Sequence, residues 1–216
     1  MRSLALSSKD GDVLAFGSQV YDHNALNDTG YARVYAWNDN DYDYVQRGDT
    51  FYGSATDDNM GLQLALSETG NVFAVSENGQ DSNGVNNNGR VRFFDWKGNA
   101  WVERHFIDGQ AQNHLRAGYY GVSLSSDGNT VANGARDVVI GGDAGSHLLK
   151  GLVRVHHWNG TSWDQIDPDI PGEGTKDYAG IVALSGDGAT LAIGGYGNDG
   201  ANGVDSGHVR VFSVVH

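Results

Sequence analysis

The sequence predicts an all-β chain assembled from four tandem copies of one sheet-forming unit, and three observations carry that prediction. Four apolar segments superimpose: Leu4-Ala5-Leu6-Ser7, Leu64-Ala65-Leu66-Ser67, Val122-Ser123-Leu124-Ser125 and Val182-Ala183-Leu184-Ser185. Each runs into a turn that ends on Gly11, Gly70, Gly128 or Gly188, spaced 59, 58 and 60 residues apart. Gly is abundant, at 32 residues against 2 Pro, and it recurs in register with the apolar runs. That is the mark of many tight turns, not of a disordered or collagen-like chain.

Each unit reads as four strands. Strand a is the Leu-Ala-Leu-Ser segment. Asp10-Gly11, Asp127-Gly128 and Asp187-Gly188 then reverse the chain into a hairpin, with Thr69-Gly70 as the weaker copy. Strand b follows at once over residues 13–17, 72–76, 130–134 and 190–194, with small residues set between large ones. Strand c opens on Gly30, Gly89, Gly151 and Gly207 and alternates through Arg33, Arg92, Arg154 and Arg210. In the first three copies it ends on Trp37, Trp96 and Trp158. Tyr42, Trp101 or Trp163 stands five residues further on, the spacing of an aromatic pair across a hairpin that opens strand d.

Strands a and b are apolar on both faces, which suits sheets stacked face to face. A four-stranded unit repeated in this way predicts the blade of a β-propeller, with a period longer than the usual ~40–50 residues. The expectation is one repeat domain over residues 1–216, with units near 1–60, 61–120, 121–179 and 180–216. The fourth blade is incomplete because the chain stops at Val214-Val215-His216, before its own strand d.

Composition narrows the function classes. With 14 Lys and Arg against 27 Asp and Glu, the net charge of -13 repels phosphate backbones and anionic lipid, so no nucleic-acid partner is expected. The chain has no Cys, which removes disulfides, zinc-thiolate sites and cysteine nucleophiles. No stretch has the apolar length of a membrane span, so no membrane insertion is expected, and no signal peptide is read in the chain as given.

At Leu184-Ser185-Gly186-Asp187-Gly188-Ala189-Thr190-Leu191-Ala192-Ile193-Gly194 and at Gly207-His208-Val209-Arg210-Val211 the chain resembles the FG-GAP repeats of integrin-α-type β-propellers, in a simple variant with a short Ser-x-Asp-Gly turn. The resemblance covers essentially the whole chain. It implies a propeller fold, a protein- or glycan-binding or adhesion role, and an extracellular or cell-surface setting. The chain departs from the pattern in two ways. The calcium-binding members carry a long Asp/Asn-rich loop between the first two strands, here reduced to tight turns with at most one carboxylate, too few oxygens for calcium. The family ring also has about seven blades, which leaves three arrangements open: a closed four-bladed ring, a half-propeller that pairs with another chain, or part of a longer product. Unpaired terminal blade edges would favour self-association.

The candidate ligand site lies in the loops between strands b and c, three of which have equal length: Gly17 to Gly30, Ser76 to Gly89 and Gly194 to Gly207. They align Asp22, Asp81 and Asp199 in one column and Asp28, Asn87 and Asp205 in another. Such side chains either satisfy their own loop backbone or hold a cation, calcium being the open cofactor, or a polar ligand such as a glycan. The repeated arginines are expected to lie along the adjacent sheet and pair with an acid of the next unit. His156-His157 lacks the spacing of a metal site. No nucleophile elbow, paired-carboxylate site or zinc-protease helix is present. Asn27-Asp28-Thr29 and Asn159-Gly160-Thr161 match glycosylation acceptors, which matter only in a secretory setting. The expected function is a non-enzymatic binding scaffold. A propeller-type lyase or hydrolase with a channel-mouth site, or a purely structural assembly subunit, stands as the alternative.

Overall fold

A computed structural model describes residues 3–82, 84–109, 116–136, 149–200 and 203–215. Among the described residues the regular structure is entirely β, arranged as four antiparallel sheets, one for each predicted unit. Sheet 1 contains β1 (Ser3–Leu6), β2 (Val13–Ser18), β3 (Tyr31–Asn38) and β4 (Asp43–Gln46), with the short β5 (Phe51–Tyr52) returning to the start of β3. Sheet 2 contains β6 (Met60–Leu66), β7 (Val72–Glu77), β8 (Arg90–Trp96) and β9 (Trp101–Asp108). Sheet 3 contains β10 (Gly121–Leu124), β11 (Thr130–Ala135), β12 (Leu152–Trp158) and β13 (Trp163–Gln165), with β14 (Ile170–Pro171) back on β12. Sheet 4 has three strands, β15 (Ala179–Leu184), β16 (Thr190–Gly195) and β17 (His208–Ser213).

The a–b hairpin forms at each predicted position because the motif serine closes it. The Oγ of Ser7, Ser67, Ser125 and Ser185 accepts the backbone N–H of Val13, Val72, Thr130 and Thr190 at 2.9–3.1 Å. At this end of the stack the turns also bond to one another. Lys9 N donates to Glu68 O, Glu68 N to Ser126 O, and Ser126 N to Gly186 O.

Apolar alternation then stacks the sheets. Val13, Ala15, Ala32 and Val34 of sheet 1 meet Leu64, Phe73, Val75 and Phe94 of sheet 2. On its other face, sheet 2 sets Ala74, Val91 and Phe93 against Val122, Leu124 and Val131 of sheet 3. Sheet 3 sets Ala132, Val153 and Val155 against Leu191, Ile193 and Val214. β7 and β11, covered on both faces, are buried at every residue, whereas β2 is buried only at alternate ones. Each fully buried aliphatic side chain contributes about 1.5–3 kcal/mol.

Two details differ from the sequence reading. Trp96 and Trp158 pair with Trp101 and Trp163, ring centroids 5.3 and 5.5 Å apart, but Trp37 pairs with Tyr44 and not with Tyr42. The first hairpin is two residues longer, and Tyr42 sits in its turn at φ 51°, 80% exposed. The fourth strand also continues further than expected. β9 carries a bulge near Phe94 and runs on until Ile107 faces Val91, the pairing that Phe51 makes with Ala32 and Ile170 with Val153.

The units are joined where strand c begins. Thr29, Asn88 and Lys150 accept backbone hydrogen bonds from Met60, Ala117 and Ala179, at or shortly before the start of the following sheet, at 2.8–3.0 Å. The next residue, Gly30, Gly89 or Gly151, lies at φ 74–77°, and a Cβ there would overlap the backbone of that same partner. Gly207 has φ 68° but no such neighbour. In denaturant unfolding, Gly207→Ala is therefore expected to cost about 1–2 kcal/mol from the left-handed backbone alone. Gly89→Ala should cost that and about 1–3 kcal/mol more from overpacking.

Candidate functional site

The three equal loops share one internal frame. Asp22, Asp81 and Asp199 each turn Oδ1 inward to accept the backbone N–H six residues on, from Asp28, Asn87 and Asp205, at 2.8, 2.7 and 2.8 Å. The acceptor loops reverse through isolated antiparallel bridges, His23 with Leu26, Ser82 with Val85 and Gly200 with Gly203. Asp28, Asn87 and Asp205 lie at φ 47°, 51° and 52°, a region that Asp and Asn enter more readily than most residues. Gly30, Gly89 and Gly207 close the loops by donating to Tyr21, Gln80 and Asn198. The structure thus brings the predicted residues together two by two, one pair per loop, with one oxygen of each first-column acid engaged by backbone. The corresponding part of the fourth loop, residues 137–148, lies outside the described residues. Its left-handed position is Leu149, φ 47°.

The first and second loops rest on the junction that follows their own unit. Asp28 O and Asn87 O accept from Asn59 N and Arg116 N at 3.0 and 3.2 Å. Between the first and second junctions and the second loop lies a cleft of about 340 Å³, lined by Thr56, Asp57, Asn59, Asp81, Asn86, Asn87 and Arg116 with the Gly79 backbone. Its lining is almost wholly polar. The Arg116 guanidinium stands 5.9 Å from the Tyr119 ring centroid.

The first and third junctions are braced by acids that the sequence reading missed. Buried Asp58 accepts from Ser54 N, Ala55 N and Ser54 Oγ at 2.7, 2.8 and 3.1 Å. Buried Asp177, in the same place in the third unit, accepts from Gly174 N at 2.6 Å and Asn198 Nδ2 at 3.1 Å. The signal was present as Thr56-Asp57-Asp58-Asn59-Met60-Gly61 and Thr175-Lys176-Asp177-Tyr178-Ala179-Gly180.

The repeated arginines pair differently from the expectation of an acid in the next unit. Arg92 forks onto Glu103 at 2.9 and 2.7 Å and touches Glu77 at 3.2 Å. Arg154 forks onto Asp169 at 2.8 Å through both nitrogens. Both sets of acids belong to the arginine's own unit, because the strand before strand c and the strand or segment after it lie beside it in the same sheet. Arg33 reaches Thr50, and Arg210 reaches the Pro171 carbonyl of the preceding unit. The arginines that do bridge to the next unit are others. Arg47 donates to Gly70 O and Asn71 while its guanidinium lies 4.5 Å from the Trp96 ring centroid, and Arg104 donates to Gly128 O and Asn129 from beside Asp95.

Two buried titratable groups stand out. Burial pushes the Glu77 carboxyl up to about 7, against the pull of Arg92 and with a further push from Asp58. Burial, with the Arg154 charge, pushes His156 down to about 4. Asp169 is held below the usual carboxylate range by its hydrogen bond from Arg154. Among the described residues, no three His, Asp or Glu side chains converge so as to hold a metal ion, and no helix is long and apolar enough to cross a membrane. Comparison of the chain with models of known protein families gives no match, and comparison with curated proteins gives none either.

The two groups act oppositely on stability. Folded Glu77 keeps a proton that the unfolded chain releases, so its stability contribution falls as pH rises from about 4.5 to 7. Folded His156 refuses a proton that the unfolded chain takes up, so its contribution falls as pH drops from about 6.5 to 4. Between about pH 5 and pH 8, Glu77→Gln is expected to gain on the wild type with rising pH, by on the order of 2 kcal/mol. His156→Gln should gain on it with falling pH. Urea unfolding across that range reads both.

Proposed function

We propose that the four sheets are blades of an FG-GAP-like β-propeller arc, and that the chain is a non-enzymatic scaffold binding a protein or glycan ligand at the rim formed by its b–c loops and junctions. The cleft between the first two junctions and the second rim loop carries this reading. Small-molecule sites are mostly apolar with a few polar groups, whereas this one is walled by Asn, Asp and Thr side chains and one Arg, a lining suited to a hydroxyl-rich ligand. The loops also combine a constant frame with changing tips: His23, Ser82 and Gly200 stand at one position, Asn27, Asn86 and Val204 at another. A rigid frame presenting variable side chains is how scaffolds carry recognition. Such a role fits the extracellular or cell-surface setting that the resemblance implies.

An enzymatic role would draw first on Glu77, whose carboxyl titrates near neutrality. Glu77 is 2% exposed and engaged by Arg92, which gives it a packing role.

Screening against a panel of glycans, followed by calorimetry, tests the reading. Asn86→Ala and Arg116→Ala are each expected to weaken the selected ligand about tenfold, about 1.4 kcal/mol, with an unchanged melting curve. Wild-type affinity in both variants overturns the assignment of the cleft. Of the two aligned Asx side chains in each loop, one is already engaged by backbone, and a calcium site asks for 6–8 oxygens. Millimolar calcium is therefore expected to leave the melting temperature unchanged, and a marked rise would restore a cation to the rim.

A further inference from the structure

The two ends of the stack expose surfaces that are buried against each other everywhere else in the chain. At each internal contact a sheet presents one face to the next, and the positions are fixed by the repeat. The donor face carries the residues two and four places after the strand c glycine: Ala32 and Val34 in sheet 1, Val91 and Phe93 in sheet 2, Val153 and Val155 in sheet 3, none more than 1% exposed. In sheet 4 the same positions are Val209 and Val211, 68% and 66% exposed. The receiving face carries the leucines of strand a. Leu64 of sheet 2 is 8% exposed beneath sheet 1, whereas its counterpart Leu4 on sheet 1 is 58% exposed and Leu6, two residues on, 54% exposed.

The outer face of sheet 1 is otherwise built like an internal one. Leu14, Phe16 and Tyr35 stand where Phe73, Val75 and Phe94 pack in sheet 2, and the Phe16 and Tyr35 rings stack at 5.3 Å. The far face of sheet 4 likewise keeps the small residues, Ala183 and Ala192, that let a sheet approach closely at Ala5 and Ala15. One end thus retains the donor surface and the other the receiver, with no mate described for either.

We infer that the far face of sheet 4 docks on the outer face of sheet 1 of a second copy of this chain. The occupant follows from the repeat: this pair of surfaces already mates three times within the chain, so a second copy brings a complementary face in the register that the internal contacts use. The contact is heterologous, since donor and receiver are different surfaces. It joins apolar faces and does not depend on pairing of strand edges.

Two variants test it, each altering residues that are solvent-exposed in the single chain. Leu4→Glu/Leu6→Glu blocks the receiver, and Val209→Glu/Val211→Glu blocks the donor. Sedimentation of the wild type across a dilution series is expected to show chains associating, beginning with a mass of two. Each variant alone should sediment as a folded monomer, with the wild-type circular-dichroism spectrum. Mixed one to one they should form a dimer, because the sound donor of the first meets the sound receiver of the second. A wild type that stays monomeric overturns the inference, as it would if a different partner covered these faces. So does association that either variant retains alone, which would mean like faces pairing with like.

Discussion

The architecture depends on one backbone crossing, repeated at each unit boundary. The residue that ends a b–c loop accepts a hydrogen bond from a residue at or shortly before the start of the following sheet, and the glycine after it brings the two segments closer than any Cβ allows. Both groups are backbone, so the crossing holds whatever side chains surround it. From this point strand c leaves toward its own sheet and the next strand a leaves toward the next, which aligns their apolar faces. The core clusters follow from that placement. The rim loops rest on the same crossings, so the frame that shapes the cleft and the frame that stacks the sheets are one structure.

Much of this was legible in the sequence because it is local and periodic. The Leu-Ser…Gly turns, the apolar alternation of strands b and c and the glycine opening strand c each reflect a short-range rule, and each recurs at a fixed interval. Tyr42 misled because the five-residue spacing of the second and third copies was carried over to a hairpin two residues longer. The arginine partners were missed for a different reason: choosing Glu103 over an acid of the neighbouring unit requires knowing how far β9 runs, and its bulge leaves no period-two trace. At the rim, the pairing of Asp22 with Asp28, Asp81 with Asn87 and Asp199 with Asp205 was visible as aligned columns. Their engagement with backbone was the plainer of the two readings, and the geometry has that form. The cleft itself could not be read, because its walls come from three separated segments.

The acidic balance of the chain takes on a structural meaning beside these details. Asp58 and Asp177 lie buried against backbone N–H groups and short polar side chains, with no arginine among the described residues forked onto either. Amide dipoles satisfy a carboxylate without adding a cation. In a chain with 14 basic residues, that leaves arginines such as Arg47 and Arg104 free to tie one unit to the next.

The turn-to-turn ladder at the other end of the stack reads only main chain. Its successive positions are Lys9, Glu68, Ser126 and Gly186, a cation, an anion, a hydroxyl and a bare hydrogen, and a backbone hydrogen bond joins each to the next. Side chains at these positions are therefore released from the upkeep of the fold. This side of the molecule can drift in charge and chemistry from unit to unit, as a surface open to new uses, while the backbone ladder beneath it is kept.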